Sequence, residues 1–265
     1  MNREKEIKMR KLIVIFILSL ITSHAIAGSN QATESKFKPE EIAAFAKGVE
    51  KYAAKQGARA FIISRIGQPQ SKLPKGIEFT HTAIAVYSEI TLNNGEKAKG
   101  YAIHNLYQDA KNSNKSALIT DYPVDFFWGA HELKAGIIIP TPELQQKIID
   151  VIASGKNKAL HNSKYSLIAN PFNNMYQNCT EHTLNIINAA IYQTTDMRQL
   201  KANTKAYFAP QRVHVSRFKL SLGSVFADGV TTKDHKGKVK TASFGSIAKY
   251  LQSYQLASVP FVFKA

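Results

Sequence analysis

Residues 79–108, FTHTAIAVYSEITLNNGEKAKGYAIHNLYQ, decide how this chain folds on paper. Two runs rich in Val, Ile, Thr and Tyr flank Asn93-Asn94-Gly95-Glu96, and Asn-Gly between such runs is the strongest short hairpin signal a sequence carries. If Asn94-Gly95 forms a two-residue turn, Asn93 pairs with Glu96. His81 then faces Gln108, and His104 faces Ala85. Directly opposed residues share a face, so His81, Gln108 and His104 project from one side of the sheet. His104 lies four residues from Gln108, about 13 Å at ~3.3 Å per residue. A bulge or longer loop changes both the distance and the face.

Working outward, PEEIAAFAKGVEKYAAKQG (39–57) repeats its apolar residues at three and four, the helix period, and Gly57 stops it. ARAFIISRIG (58–67) reads as a strand, and KAGIIIP (134–140) as a short buried one. Thr141-Pro142-Glu143 starts a further helix, with a cap residue ahead of Pro at the first helical position. RVHVSRFKLSLG (212–223) reads as β structure. Ser243 then caps a helix, and VPFVFK (259–264) forms the last strand. Helices before, between and after antiparallel strands give an α+β class.

The N-terminus orders a charged stretch, an apolar run LIVIFILSLITSHAIA (12–27) and Ala25-Ile26-Ala27, which is the pattern of a secretory signal peptide cleaved before Gly28. The apolar run is shorter than the ~20 residues of a spanning helix. Residues 28–265 read as a single domain, with a core at about 39–200 and a basic β/α extension at 205–265. Removing the five Lys/Arg and two Asp/Glu of the leader from totals of 35 and 19 leaves 30 against 17. Such charge suits anionic lipid headgroups or acidic cell-wall polymers in an exported protein, where nucleic acid is not the expected partner. The expected location is periplasmic or secreted. No further transmembrane segment is expected after cleavage.

Cys179 is the one cysteine, so no intramolecular disulfide is available. In YQNCTEHTLNIINAA (176–190), Asn178 is a good N-cap and Cys179 the first helical residue. A thiol there faces unpaired N–H groups and the positive end of the helix dipole, both of which stabilise a thiolate. The same N–H groups can hold an oxyanion. Equally, Ile186 and Ala190 share its side at helical spacing, so Cys179 also suits a packed core. A thiol nucleophile needs a base. His182 is on the same helix, His131, His161 and His235 sit in polar, loop-like contexts, and His214 alternates with valines. His81 opens a strand beside a Pro/Lys loop and is the candidate. Gln108 satisfies the geometry for a third, orienting residue.

His81 opening H-x-A-I-x-V-Y, a return through G-Y-x-x-H, and N-C-x-E-H at a later helix start resemble the circularly permuted NlpC-type papain-like superfamily, which includes lecithin–retinol acyltransferase-like proteins. The resemblance implies a papain-like fold, Cys179 as nucleophile, His81 as base and His104 as the third polar residue. Thr180 departs from that pattern, which reads N-C-E-H. HTAIAVYS, YAIHNLYQ, DYPVDFF, AGIIIPTPELQ, YSLIANPFN and YQNCTE together resemble an uncharacterised family of exported bacterial proteins, domain of unknown function 2145. Together these imply thiol-dependent hydrolysis or transfer at an amide or ester carbonyl of peptidoglycan stem peptides or acyl-lipids. Cys179 attacks, His81 shuttles the proton, Gln108 or His104 orients it, and the Cys179 N–H holds the oxyanion with help from Gln177 beside Asn178. No cofactor or metal is called for. The alternative is a non-catalytic envelope binding or scaffold module with a structural cysteine.

Overall fold

The computed structural model describes residues 34–91, 94–213 and 229–265. The leader at 1–27, His214, and the strand expected at 212–223 beyond Val213 lie outside the described residues. Helix α1 (Pro39–Lys55) buries Ile42, Phe45, Ala46, Val49 and Ala53, the stripe its period dictates, and Gly57 follows it at φ 67°. Strands β1 (Ala60–Ile66), β2 (His81–Thr91), β3 (Lys97–Gln108) and β4 (Ser116–Asp121) come next. A short α2 (Pro123–Trp128), β5 (Glu132–Ile138), α3 (Pro142–Ala153) and a one-turn α4 (Lys156–Ala159) follow. The chain ends with α5 (Cys179–Tyr192), α6 (Met197–Tyr207), β6 (Gln211–Arg212), β7 (Lys240–Thr241), α7 (Phe244–Ser253) and β8 (Phe261–Lys264).

The six long strands form one antiparallel sheet in the order β4-β3-β2-β1-β5-β8, and β6 pairs with β7 apart from it. All seven residues of β1 are buried, because helices cover the sheet on both faces. Phe61, Ile63, Ala83, Ala85 and Ile103 meet α1 and α2 on one face. Ile62, Ile84, Val86 and Ile138 meet α3, α5 and α7 on the other. The class is therefore α+β, as the segment pattern implied.

Residues 240–264, expected as an extension, belong to the main body. Helix α7 adds Phe244, Ile247 and Leu251 to the second core layer, and β8 extends the sheet. Phe261 of β8 stacks on Tyr52, and Phe263 packs edge-on to Phe45, both on α1. Gly136 lets the sheet approach α7: a Cβ there would meet Phe244 at 2.7 Å and Phe79 at 3.0 Å. Gly136→Ala should cost about 1–3 kcal/mol by overpacking, read as a lower urea midpoint at unchanged slope.

Candidate functional site

Cys179 opens α5 as its sequence context required. Asn178 is extended, and its Oδ1 accepts from Glu181 N at 2.9 Å. Its Nδ2 donates to Leu167 O at 2.8 Å and to Thr241 Oγ1 at 3.2 Å, tying the cap to the preceding loop and to β7. Thr183 Oγ1 lies 3.0 Å from Cys179 O and 3.3 Å from Thr82 O, fixing this first turn against the start of β2. Cys179 is 3 % exposed and packs beside Leu106 and Tyr165. Its Sγ lies 4.0 Å from Thr80 O, the carbonyl preceding His81, and 3.8 Å from Thr180 Oγ1.

Helix α5 is buried from Cys179 to Ala190, polar residues included. Lys201 of α6 places Nζ 2.5 Å from Glu181 Oε1 and donates to Asn185 Oδ1 at 3.2 Å. Burial nevertheless lifts the Glu181 carboxyl to about 7, outweighing the Lys201 charge. His182 is likewise buried and driven down to about 3, first by desolvation.

The hairpin pairs one residue out of the register expected for a two-residue turn. Thr91 pairs with Lys97 and Ile84 with His104, so five residues link the strands. Continued along the strands, that register sets Tyr107 opposite His81, and the two rings stack at 4.8 Å and 12°. A one-residue slip reverses every side chain. Gln108 and His104 therefore leave the His81 face. Gln108 donates to Ser113 O at 2.8 Å, and His104 Nδ1 lies 3.4 Å from Thr120 Oγ1. Neither orients His81. Gln177, expected as an oxyanion donor, spends its amide on Leu160 O and its oxygen on Asn162 N. His235, whose polar, loop-like context suggested exposure, has a buried side chain that bonds Ile168 O at 2.9 Å.

The partner of His81 is Asn105, diagonal to it on the same face, with Nε2 to Oδ1 at 2.9 Å. Asn105 Nδ2 donates to Asp121 Oδ1 at 2.6 Å and to Ile103 O at 3.0 Å. Those two acceptors orient the amide, so its oxygen faces His81, and Nε2 must carry the imidazole proton. Nδ1 is then a bare lone pair, and it has no hydrogen-bond partner. Tyr107 OH donates to the second Asp121 oxygen at 2.8 Å, completing a buried His81–Asn105–Asp121–Tyr107 chain. Burial, then the charge of Arg65, holds the His81 pKa well below its usual range, against the Asn105 bond.

Burial lifts the Asp121 carboxyl from 3.8 to about 6, although Tyr107 and Asn105 both donate to it. An acid raised on folding stabilises the fold while protonated and loses that contribution as pH climbs from about 3.8 through about 6. Asp121→Asn should therefore exceed the parent by roughly 2–3 kcal/mol at pH 8 and by little at pH 4, in paired urea titrations.

The structure brings Cys179 next to the backbone of His81 without joining their side chains. The imidazole stands on the face covered by α2, where Phe126 lies 5.4 Å away, whereas the body of α5 packs on the other face. Asn105 was missed because the register was off by one. The alternation of Asn105 and Tyr107 along β3 was the signal that could have found it. Among the described residues, no three His, Cys, Asp or Glu side chains gather as metal ligands, and no helix is long and apolar enough to cross a membrane.

No curated protein and no solved structure matches this chain. One family does, over residues 52–251, from the last turn of α1 to the last turn of α7; it is described as an uncharacterized protein conserved in bacteria (DUF2145), and this chain belongs to it.

Proposed function

We propose that the protein is a thiol-dependent hydrolase or acyltransferase of the cell envelope, built on a papain-like Cys-His-Asn set: Cys179, His81 and Asn105. The observation that supports it is the bare Nδ1 of His81, its ring fixed by Asn105, on the residue that follows the carbonyl lying 4.0 Å from Cys179 Sγ. A buried acceptor without a partner is costly and calls for a reason. Because the imidazole and the body of α5 stand on opposite faces of the sheet, the chemistry requires the Cys179 side chain and the His81 ring to be brought together around the start of β2. Nδ1 then takes the thiol proton, and the thiolate adds to an amide or ester carbonyl. The Cys179 N–H donates to the oxyanion. Collapse expels the amine or alcohol, which receives the proton from Nδ1 and leaves a thioester. Water or an acceptor hydroxyl, losing its proton to Nδ1, attacks the thioester and frees the thiol. Depressed basicity keeps His81 neutral at pH 7, ready to accept. The envelope setting rests on residues 1–27, and peptidoglycan peptides or acyl-lipids are the substrates it suggests.

A second reading, a non-catalytic scaffold or binding module, is favoured by the 3 % exposure of Cys179 among Leu106 and Tyr165. Iodoacetamide labelling of the native protein at pH 7.5 separates the two. Catalytic poise should give measurable native labelling that falls about tenfold or more in His81→Ala. Labelling only after denaturation selects the scaffold.

A further inference from the structure

Directly opposed like charges destabilise a ladder; where Lys134 of β5 faces Lys264 of β8, Glu78 supplies a counter-charge, but two further pairs have none among the described residues. Arg212 of β6 faces Lys240 of β7, and Lys115 faces Lys164 across an isolated bridge; all four are exposed. Both pairs flank one segment, the loop 165–178 that leads into Cys179. Tyr165 N bonds Asn114 O on the Lys115 side, and Leu167 N bonds Gly229 O at the start of the other. Between Gly229 and Lys240 stand three more exposed lysines, Lys233, Lys236 and Lys238. None of these seven cations takes part in an ion pair among the described residues.

The nearby acids do not neutralise them. Asp234 is buried and accepts from Asn170 N at 2.7 Å, while Asp109 accepts from Lys111 N and Asn112 N. The basic loop is also held in place. Asn170 and Asn173 both donate to Asp234 O, and Thr241 links to Asn178 and Ala169. The segment between the clusters carries Met175, 48 % exposed, and Phe172, with Lys240 Nζ 5.9 Å from its ring. Cations around an exposed flexible apolar side chain fit a bilayer interface, with headgroups against the lysines and the thioether at the acyl boundary.

We propose that this face, loop 165–178 with its two cationic flanks, docks the protein on anionic lipid headgroups. The inference goes beyond the thiol reading and survives its failure, because vesicle binding does not pass through Cys179. Repulsion left standing across two ladders is then the stability given up for a surface of single sign.

The test is sedimentation with vesicles of phosphatidylcholine alone or with about a third phosphatidylglycerol, using residues 28–265, which hold all the described elements, so that the apolar run at 12–27 does not itself enter the bilayer. The parent should bind the anionic vesicles and release them in high salt. Changing Lys164, Lys236, Lys238 and Lys240 together to Gln should weaken binding by about tenfold or more, since each lysine near such a surface contributes roughly fivefold. The same variant should melt no lower than the parent, because two repulsions are removed. Met175→Ser should weaken binding several-fold. Unchanged vesicle binding in the lysine variant overturns the proposal. So does equal binding to soluble polyphosphate with no response to Met175→Ser, which would mark a general polyanion surface.

Discussion

Lys201→Met should destabilise the protein by about 3–5 kcal/mol, enough to unfold much of it at 37 °C. The ammonium sits 2.5 Å from Glu181 in a site where Glu181 is fully buried. Removing it leaves a carboxylate that already resists ionisation, with one oxygen lacking a partner. The loss should be smaller at pH 5 than at pH 8.5, because the orphaned acid escapes by binding a proton. In the parent, the raised Glu181 pKa acts in the same direction: stability falls as pH rises from 4.5 through about 7. Glu181→Leu combined with Lys201→Met should recover most of the loss, since replacing both partners removes the stranded charge. Urea unfolding of the single and double variants at both pH values checks each statement.

Phe126→Ala comes next, at about 3–5 kcal/mol. Its ring is fully buried, edge-on to Phe127 at 5.1 Å and beneath Arg65 at 5.3 Å. Its carbonyl accepts from Arg65 Nη1. The same ring shields His81, whose depressed pKa comes first from desolvation. Opening that space to water should let the imidazole titrate nearer its usual range, followed by NMR of the ring protons. A fall in stability with no upward movement of the His81 titration would show that other walls keep it dry.

The main elements were legible because each carries a local signal. Apolar period marks α1, the Thr141-Pro142 start marks α3, and Asn178 marks the first residue of α5. The hairpin was legible too, but not its register. Asn94-Gly95 promised a two-residue turn, whereas the last pair is Thr91 with Lys97. That slip exchanged Gln108 and His104 for Asn105 and Tyr107 beside His81. Helix α6 escaped notice because it buries little beyond Leu200, Lys201 and Thr204, too sparse a stripe to show a period. The burial of α5 on every side depends on α3, α6 and α7 closing around it, which no local pattern encodes.

Strand β8 has a consequence for the time course of folding. The rings that cover Phe45 and Tyr52 belong to Phe263 and Phe261, so the first helix and the last strand must find each other across most of the chain. Contacts of such sequence separation raise the loop-closure barrier and slow the search. A growing chain lacks these residues until all of the other described elements have been made. Phe127 reaches Phe45 earlier, but the side of α1 that Phe261 and Phe263 cover stays wet, and open to chaperones, until β8 arrives to close it.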